Sequence, residues 1–293
     1  MQIETFKMLC DLVETESFTK AAEISGVTQS AVSQQVSALE RIFKSVLIER
    51  RKKAFKLTPE GQVAYDYGKE IVRASDSLHG RLAELKDIVS GNLRVSTIYS
   101  IGLYELPAYV KKFMQSYPTV NVHVEYRRSD QVYDDVLSNA VEFGLVAYPV
   151  KDIKLEIVAL RKEPLVVVCH PQHPFAKLDK VRLKDLHGQK FVGFGPDIPT
   201  RRVLDRILKK HGGNMAYEME FDNVDTVKRA VEIDAGVAIV PAATIVAEVA
   251  RQTLVAVPIA DGDFFRPTAA IYKKQKTLTP AMKQLLVVLK GPV

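Results

Sequence analysis

Apolar residues recur every three or four positions through the first ninety residues, then switch to short runs and alternations after Gly91. Ile3, Phe6, Cys10 and Val13 form one helical stripe. Ser17 is placed to cap a short helix carrying Phe18, Ala21, Ala22 and Ile24, which Gly26 and Val27 end. Thr28 is placed to cap a third helix, from Gln29 to about Phe43. Its inner stripe is Val32, Val36, Leu39 and Phe43. Another face carries Gln29, Ser33 and Ser37, with Ser30 and Gln34 beside them. From Val46 to Leu57 the pattern predicts two short strands joined by a basic tip.

Thr58–Pro59–Glu60 then opens a helix with a cap, a first-position proline and an acid in the first turn. No strong breaker follows until Gly91, which gives a length of about 50 Å. A helix that long cannot bury its stripe within one small domain. Ala64, Tyr67, Ile71, Ala74, Leu78, Leu82 and Leu85 keep the spacing of a two-helix seam, which predicts a dimer.

Beyond Gly91, Leu93–Ile98, Val120–Glu125 and Phe143–Ala147 read as strands, with helices over Leu106–Gln115 and Gln131–Leu137 between them. The alternation returns through Leu165–Cys169, Lys190–Gly193, Thr200–His211, Val224–Ile233, Val237–Val240 and Ala270–Tyr272. This predicts two α/β lobes with a largely parallel sheet, joined by crossing segments.

Composition narrows the function classes. The chain has 293 residues, 47% hydrophobic and 26% charged, which fits folded domains and excludes disorder as the main state. No apolar run approaches the roughly 20 residues that span a bilayer, so no membrane partner is expected. Glu4, Asp11 and Glu14 do not belong in a secretory leader, and two cysteines make no disulfide framework. The expected compartment is the cytoplasm. Net charge is +6, and its distribution says more than its size. Between Arg41 and Thr58 seven Lys or Arg face one acid, whereas the first sixty residues total only +1. Taken alone, such a run reads as a solvated turn. After a three-helix unit with a slim polar outer face it reads as the wing of a winged helix-turn-helix. Amides and hydroxyls there can bond base edges, and a basic wing can meet phosphate. The candidate DNA-binding residues are Thr28, Gln29, Ser30, Ser33, Gln34, Ser37, Arg50, Arg51, Lys52 and Lys53.

Phe6, Ser17–Ala22, Val27–Val36, Leu39–Glu40, Leu47, Arg50 and Leu57–Gly61 together resemble the N-terminal signature of LysR-type transcriptional regulators. Leu106–Pro107, Phe113, Tyr117–Pro118, Gly236–Pro241 and Leu278–Ala281 are similar to landmarks of that family's effector domain. The sequence departs from the pattern at Lys44, where the family has Gly at a helix C-cap, at Ile48, where it has Phe, and at Asn139 and Glu142, where Gly and Asp are usual. The resemblance implies a multi-domain protein: an all-α winged helix-turn-helix over 1–58, a long linker and dimerisation helix over 59–90, and an α/β two-lobed, periplasmic-binding-protein-like effector domain over 91–293. It implies an interrupted inverted repeat in double-stranded DNA as target, a homodimer that pairs into a homotetramer, and a small-molecule effector between the lobes. RNA polymerase is a further candidate partner. Tyr67, Ile71, Leu78, Leu82 and Leu85 are the candidate dimerisation residues.

Candidate effector contacts follow from loops at the carboxyl ends of strands, where open α/β sheets bind ligands. They are Thr97, Tyr99, Ser100, Ile101, Arg128, Ser129, Ala147, Tyr148, Pro199 and Thr200. By resemblance, Ser100, Ser129 and Thr200 occupy positions that commonly contact effector. The same three residues also read as plain helix caps, and the two roles are compatible. Arg127 and Arg128 are adjacent at a strand end, so at most one is expected to face the cleft. The hydroxyls and arginine point to an organic anion. His170–Pro171–Gln172–His173–Pro174 lacks a ligand set for metal. No phosphate-binding loop or nucleophile elbow occurs, and Gly193–Phe194–Gly195–Pro196 lacks a third glycine. Neither cofactor, metal nor enzymatic activity is expected. A solute-binding protein, an α/β enzyme and a DNA-binding protein without ligand are the rival readings.

Overall fold

The computed structural model describes residues 2–51, 54–84, 89–212, 215–274 and 276–292. The chain forms two compact units, Met1–Ile88 and Val89–Val293.

In the first unit, α1 (Ile3–Thr15), α2 (Phe18–Ser25) and α3 (Gln29–Phe43) precede a hairpin, β1 (Ile48–Arg51) and β2 (Ala54–Leu57), and then α4 (Pro59–Glu84). Ser17 Oγ accepts from Lys20 N–H at 3.3 Å, and Thr28 Oγ1 accepts from Ala31 N–H at 3.3 Å, so both helices start where the cap residues stand. Phe6, Leu9, Leu12, Ala21, Val32, Val36 and Leu39 close over one core. Lys44 ends α3 in the left-handed region, at φ 52°. A lysine thus adopts the backbone that the glycine of the family pattern would take without strain. Glu40 Oε1 accepts from the N–H groups of Leu47 and Ile48, at 2.9 and 3.4 Å, which anchors the hairpin to α3. Thr58 does the same from the other side. Its Oγ1 donates to Val46 O at 2.6 Å and accepts from Gly61 N–H at 2.9 Å. A Cβ at Gly61 would lie 2.0 Å from Leu47 O, so the start of α4 can approach the hairpin only with glycine there.

The second unit has two lobes. In the first, β3 (Gly91–Ile98) lies parallel to β4 (Val120–Arg127) and β5 (Phe143–Ala147), with α5 (Tyr99–Tyr104), α6 (Leu106–Ser116) and α7 (Ser129–Leu137) as connections. In the second, β7 (Lys190–Phe194) is parallel to β8 (Ala216–Phe221), with α8 (Pro199–Lys210) between them, followed by α9 (Val224–Glu232), β9 (Ala238–Pro241), α10 (Val246–Ala250) and β10 (Val255–Val257). The 15-residue β6 (Leu155–Cys169) serves both lobes. Its first part pairs with β11 (Phe265–Lys273), and its last part with β9 and β10. α11 (Pro280–Lys290) closes the core around Phe113, Phe143 and Leu145.

The largely parallel sheet predicted above is a mixed one. Every pairing of β6 and β11 is antiparallel. These two strands carry the chain across from lobe to lobe and back, so they run against their neighbours rather than through βαβ crossovers. Arg161, Lys162 and Glu163 in the middle of β6 disguised its first ten residues as loop.

Candidate functional site

The outer face of α3 is polar. Thr28, Gln29, Ser30 and Gln34 are exposed, and Ser33 and Ser37 half-buried. Gln35 turns inward instead, its Oε1 accepting from Thr5 Oγ1 at 2.9 Å. Thr28 and Ser30 hydroxyls lie 2.9 Å apart at the helix start. Arg50 and Arg51 are the last two residues of β1, paired in register with Phe55 and Ala54. Lys52 and Lys53 lie outside the described residues.

On α4, Tyr67 (64%), Leu78 (57%) and Leu82 (50%) are exposed, as is Ile71 at the margin. Phe6, Phe43, Leu47, Val63, Ala64, Tyr67 and Ile71 line one apolar groove. Leu85 lies outside the described residues.

In the second unit, seven of the ten candidate effector residues border one open cavity: Tyr99, Ser100, Arg128, Ser129, Ala147, Pro199 and Thr200. Three do not. Thr97 and Ile101 are buried in lobe 1, because the strand end and the inner face of α5 turn them into the packing. Tyr148, at φ 50°, buries its hydroxyl without a partner, and burial foremost pushes that hydroxyl up to about 12. Ser100, Ser129 and Thr200 are not the cap residues of their helices. Those are Ile98, Arg128 and Ile198. The three hydroxyls stand one or two places further in, within the first turn, where backbone N–H groups have no helical acceptor.

Arg127 and Arg128 both border the cavity, contrary to the expectation that one would turn away. β4 ends at Arg127 and the side-chain alternation ends with it. Arg127 is occupied with Glu125 (2.5 Å) and Asp135 (3.5 Å). Arg128 pairs with Asp197 of the other lobe.

Sequence reasoning missed Phe194, Asp222, Asn223, Val224 and Arg266 on the cavity wall. Asn223 caps α9, accepting from Thr226 N–H at 3.0 Å. Arg266 is 2% exposed, and its Nη1 donates to Ser100 Oγ at 2.8 Å. A charged residue inside the mostly apolar run Phe264–Ile271 was the available signal. Arg201, which opens α8 in sequence, faces elsewhere and pairs with Asp205 (2.8 Å) and Glu220 (2.6 Å).

The two histidines of the His-Pro stretch make turns. His170 Nδ1 accepts from Gln172 N–H and His173 Nδ1 from Phe175 N–H, both at 3.2 Å. Among the described residues, no cluster of three metal-ligating side chains occurs, and no helix is long and apolar enough to cross a membrane. Both cysteines are buried, and burial foremost pushes the Cys10 thiol up to about 12 and that of Cys169 to about 11.

Residues 3–62 match the bacterial regulatory helix-turn-helix protein, lysR family, and residues 86–291 match the LysR substrate binding domain. The HTH-type transcriptional activator CmpR of Synechocystis sp. is 27% identical over 277 residues, covering 94% of this chain and 91% of its own. A probable RuBisCO transcriptional regulator of Cyanidioschyzon merolae is 28% identical over 252 residues, covering 84% of this chain and 83% of its own. Among solved structures, full-length CbnR in complex with its target DNA superposes with a TM-score of 0.70 at 21% identity, covering 99% of both chains. Full-length OxyR of Pseudomonas aeruginosa gives 0.70 at 20% identity, with 99% of this chain and 98% of that one covered. With both parts of the family in order along one chain, this protein belongs to the LysR family of DNA-binding transcriptional regulators with an effector-binding domain.

Proposed function

We propose that a homodimer reads an interrupted inverted repeat in double-stranded DNA and is modulated by a small organic anion held between the lobes of its second unit. The observation that carries the DNA half is the slim polar face of α3, where Gln29, Ser30 and Gln34 stand exposed behind a capped start at Thr28. These side chains are matched to base edges in the major groove, with Ser33 and Ser37 beside them. Arg50, Arg51, Lys52 and Lys53 supply the wing's charge for phosphate. The apolar seam through Tyr67, Ile71, Leu78 and Leu82 takes the partner's helix and sets two recognition helices apart. Two dimers pair into a tetramer, which bends the DNA and presents it to RNA polymerase.

The cleft supports the anion. Arg128 and Arg266 supply charge, and Ser100, Ser129 and Thr200 supply hydroxyls at three helix starts. An effector acts by binding the open and closed arrangements of the lobes unequally. The protein works in the cytoplasm and has no catalytic step.

Selection from randomised duplex DNA at near-physiological salt tests the reading. An enriched interrupted palindrome is the expected result. A folded sample that enriches no sequence, with or without pooled metabolites, overturns it.

A further inference from the structure

Behind the cleft runs a chain of four charged side chains. Arg266, on β11, donates from Nη1 to Ser100 Oγ at 2.8 Å and from Nε to Glu163 Oε2 at 2.6 Å. Glu163, on β6, is 4% exposed and has the like charge of Glu105, between α5 and α6, as a neighbour. Glu105 Oε2 accepts from Arg161 Nη1 at 2.9 Å. Arg161 lies over the Tyr109 ring, 4.4 Å from its centroid, and donates Nη2 to Leu289 O at 2.6 Å.

Each carboxyl leaves one oxygen unpaired. Glu105 Oε1 and Glu163 Oε1 are both buried, and neither accepts from a protein donor. A proton on Glu163 turns its unpaired oxygen into a donor and removes the cost of a buried charge. A like charge nearby and the absence of water both disfavour the ionised form of Glu163. Burial is the first cause that raises Glu163, and Glu105 adds to it, while Arg266 opposes. The charged and titratable groups around Glu163 are Arg266 from β11, Glu105 from the α5–α6 junction, Arg161 on β6 itself and Tyr148 beyond β5. Arg206 of α8 acts on Tyr148 in turn.

With a proton on Glu163, the four residues carry a net charge of about +1, and without it about zero. Arg266 borders the cavity, and its Nη2 has no hydrogen-bond acceptor beyond its 2.5 Å ion pair with Glu163. Resting on the cleft as the effector site, we infer that its floor is an oxyanion site built on Arg266 and Ser100, whose positive charge is held by a proton on Glu163. The ligand chemistry is an oxyanion group, a carboxylate, sulfate or phosphate. Proton and anion favour each other by the same factor, because binding linkage is reciprocal.

Infrared difference titration of the full-length protein reads the proton directly. A carbonyl stretch of a protonated carboxyl is expected at neutral pH, lost with a midpoint near pH 8. Glu163→Gln should remove it, and Glu105→Gln, which takes away the neighbouring like charge, should lower its midpoint. No such band in the wild type, or its survival in Glu163→Gln, overturns the proton on Glu163. Sulfate is the anion probe, because it has no carbonyl and does not titrate in this range. It should raise the midpoint, and its affinity should fall about tenfold per pH unit above it. A midpoint that sulfate leaves unmoved overturns the oxyanion site. A midpoint that sulfate raises, in a protein whose DNA binding no metabolite alters, upholds the site and removes the effector reading instead.

Discussion

Arg128, capping α7 in the first lobe, pairs across the mouth of the cleft with Asp197, which precedes α8 in the second. An acid of the protein therefore occupies a cation that an anionic ligand would seek. Both side chains are partly exposed, at 37% and 58%, so the pair is worth at most about 1 kcal/mol. Asp197→Asn leaves Arg128 with only Asp130, at 3.9 Å, and should tighten sulfate binding by up to about fivefold in calorimetric titration. Weaker binding would mean that Asp197 helps to hold the ligand rather than competing with it.

On α3, Gln29→Ala and Gln34→Ala should each cost about 1–3 kcal/mol on the selected palindrome and little on random DNA. Lys52→Ala should weaken both alike and lower the salt slope by about 1. Fluorescence anisotropy at several salt concentrations separates the two patterns. Undiminished discrimination in Gln34→Ala would remove α3 as the reading element.

The first unit was legible almost to the residue, because its signals are local. Ser17, Thr28 and Thr58 sit at helix starts as their capping chemistry requires. The cleft was legible in part. Ser100, Ser129 and Thr200 follow strands, and position in the chain finds such residues. Arg266 and Asp222 lie far from them in sequence, and only the return of β11 and the order of the second lobe bring them to the same cavity. β8 was missed because its Ala216–Phe221 run is mostly exposed and carries two acids. β6 was cut short because its buried charges, Glu163 above all, have partners that only the tertiary structure supplies.

Gly61 offers a test of the close packing between the hairpin and α4. Gly61→Ala places a methyl group 2.0 Å from a backbone oxygen that cannot swing away. Overpacking of that kind costs about 1–3 kcal/mol or more. Calorimetry should show the first unit's transition lowered by about 5–20 °C. An unchanged transition would mean that α4 slides away from the hairpin at no cost.

Glu142 predicts a dependence on acid. Burial pushes its carboxyl up, but Arg94 and Lys276 outweigh burial and hold it below the usual range. Its Oε2 accepts from Arg94 N–H at 2.7 Å and from Arg94 Nε at 3.3 Å. The folded value lies below the unfolded one. Stability from this group is therefore present above about pH 4.3 and lost as pH falls through the folded value. Glu142→Gln should flatten the acid limb of the stability curve of the second unit. An acid limb of unaltered slope would place the sensitivity elsewhere.

Lys228 holds several partners at once, although only 2% of it meets solvent. Its Nζ donates to Glu248 Oε1 and Thr244 O, both at 2.8 Å, and to the Tyr104 hydroxyl, which in turn bonds Asp225. Tyr104 belongs to α5 of the first lobe and the rest to the second, so one ammonium ties the two lobes behind the cleft. Lys228→Met would leave Glu248 buried with neither oxygen bonded, since Oε2 already has no partner. Breaking a buried pair from one side costs about 3–5 kcal/mol. Adding Glu248→Gln removes the stranded charge and should recover a large part of that loss. Burial lowers the lysine, but Glu248 and Tyr104 outweigh it, so its folded value is raised. Its contribution is accordingly full below about pH 10.4 and lost as pH rises through the folded value. Chemical denaturation of the single and double variants measures the coupling. If the double variant is as unstable as the sum of both single changes, the four groups do not act as one tie.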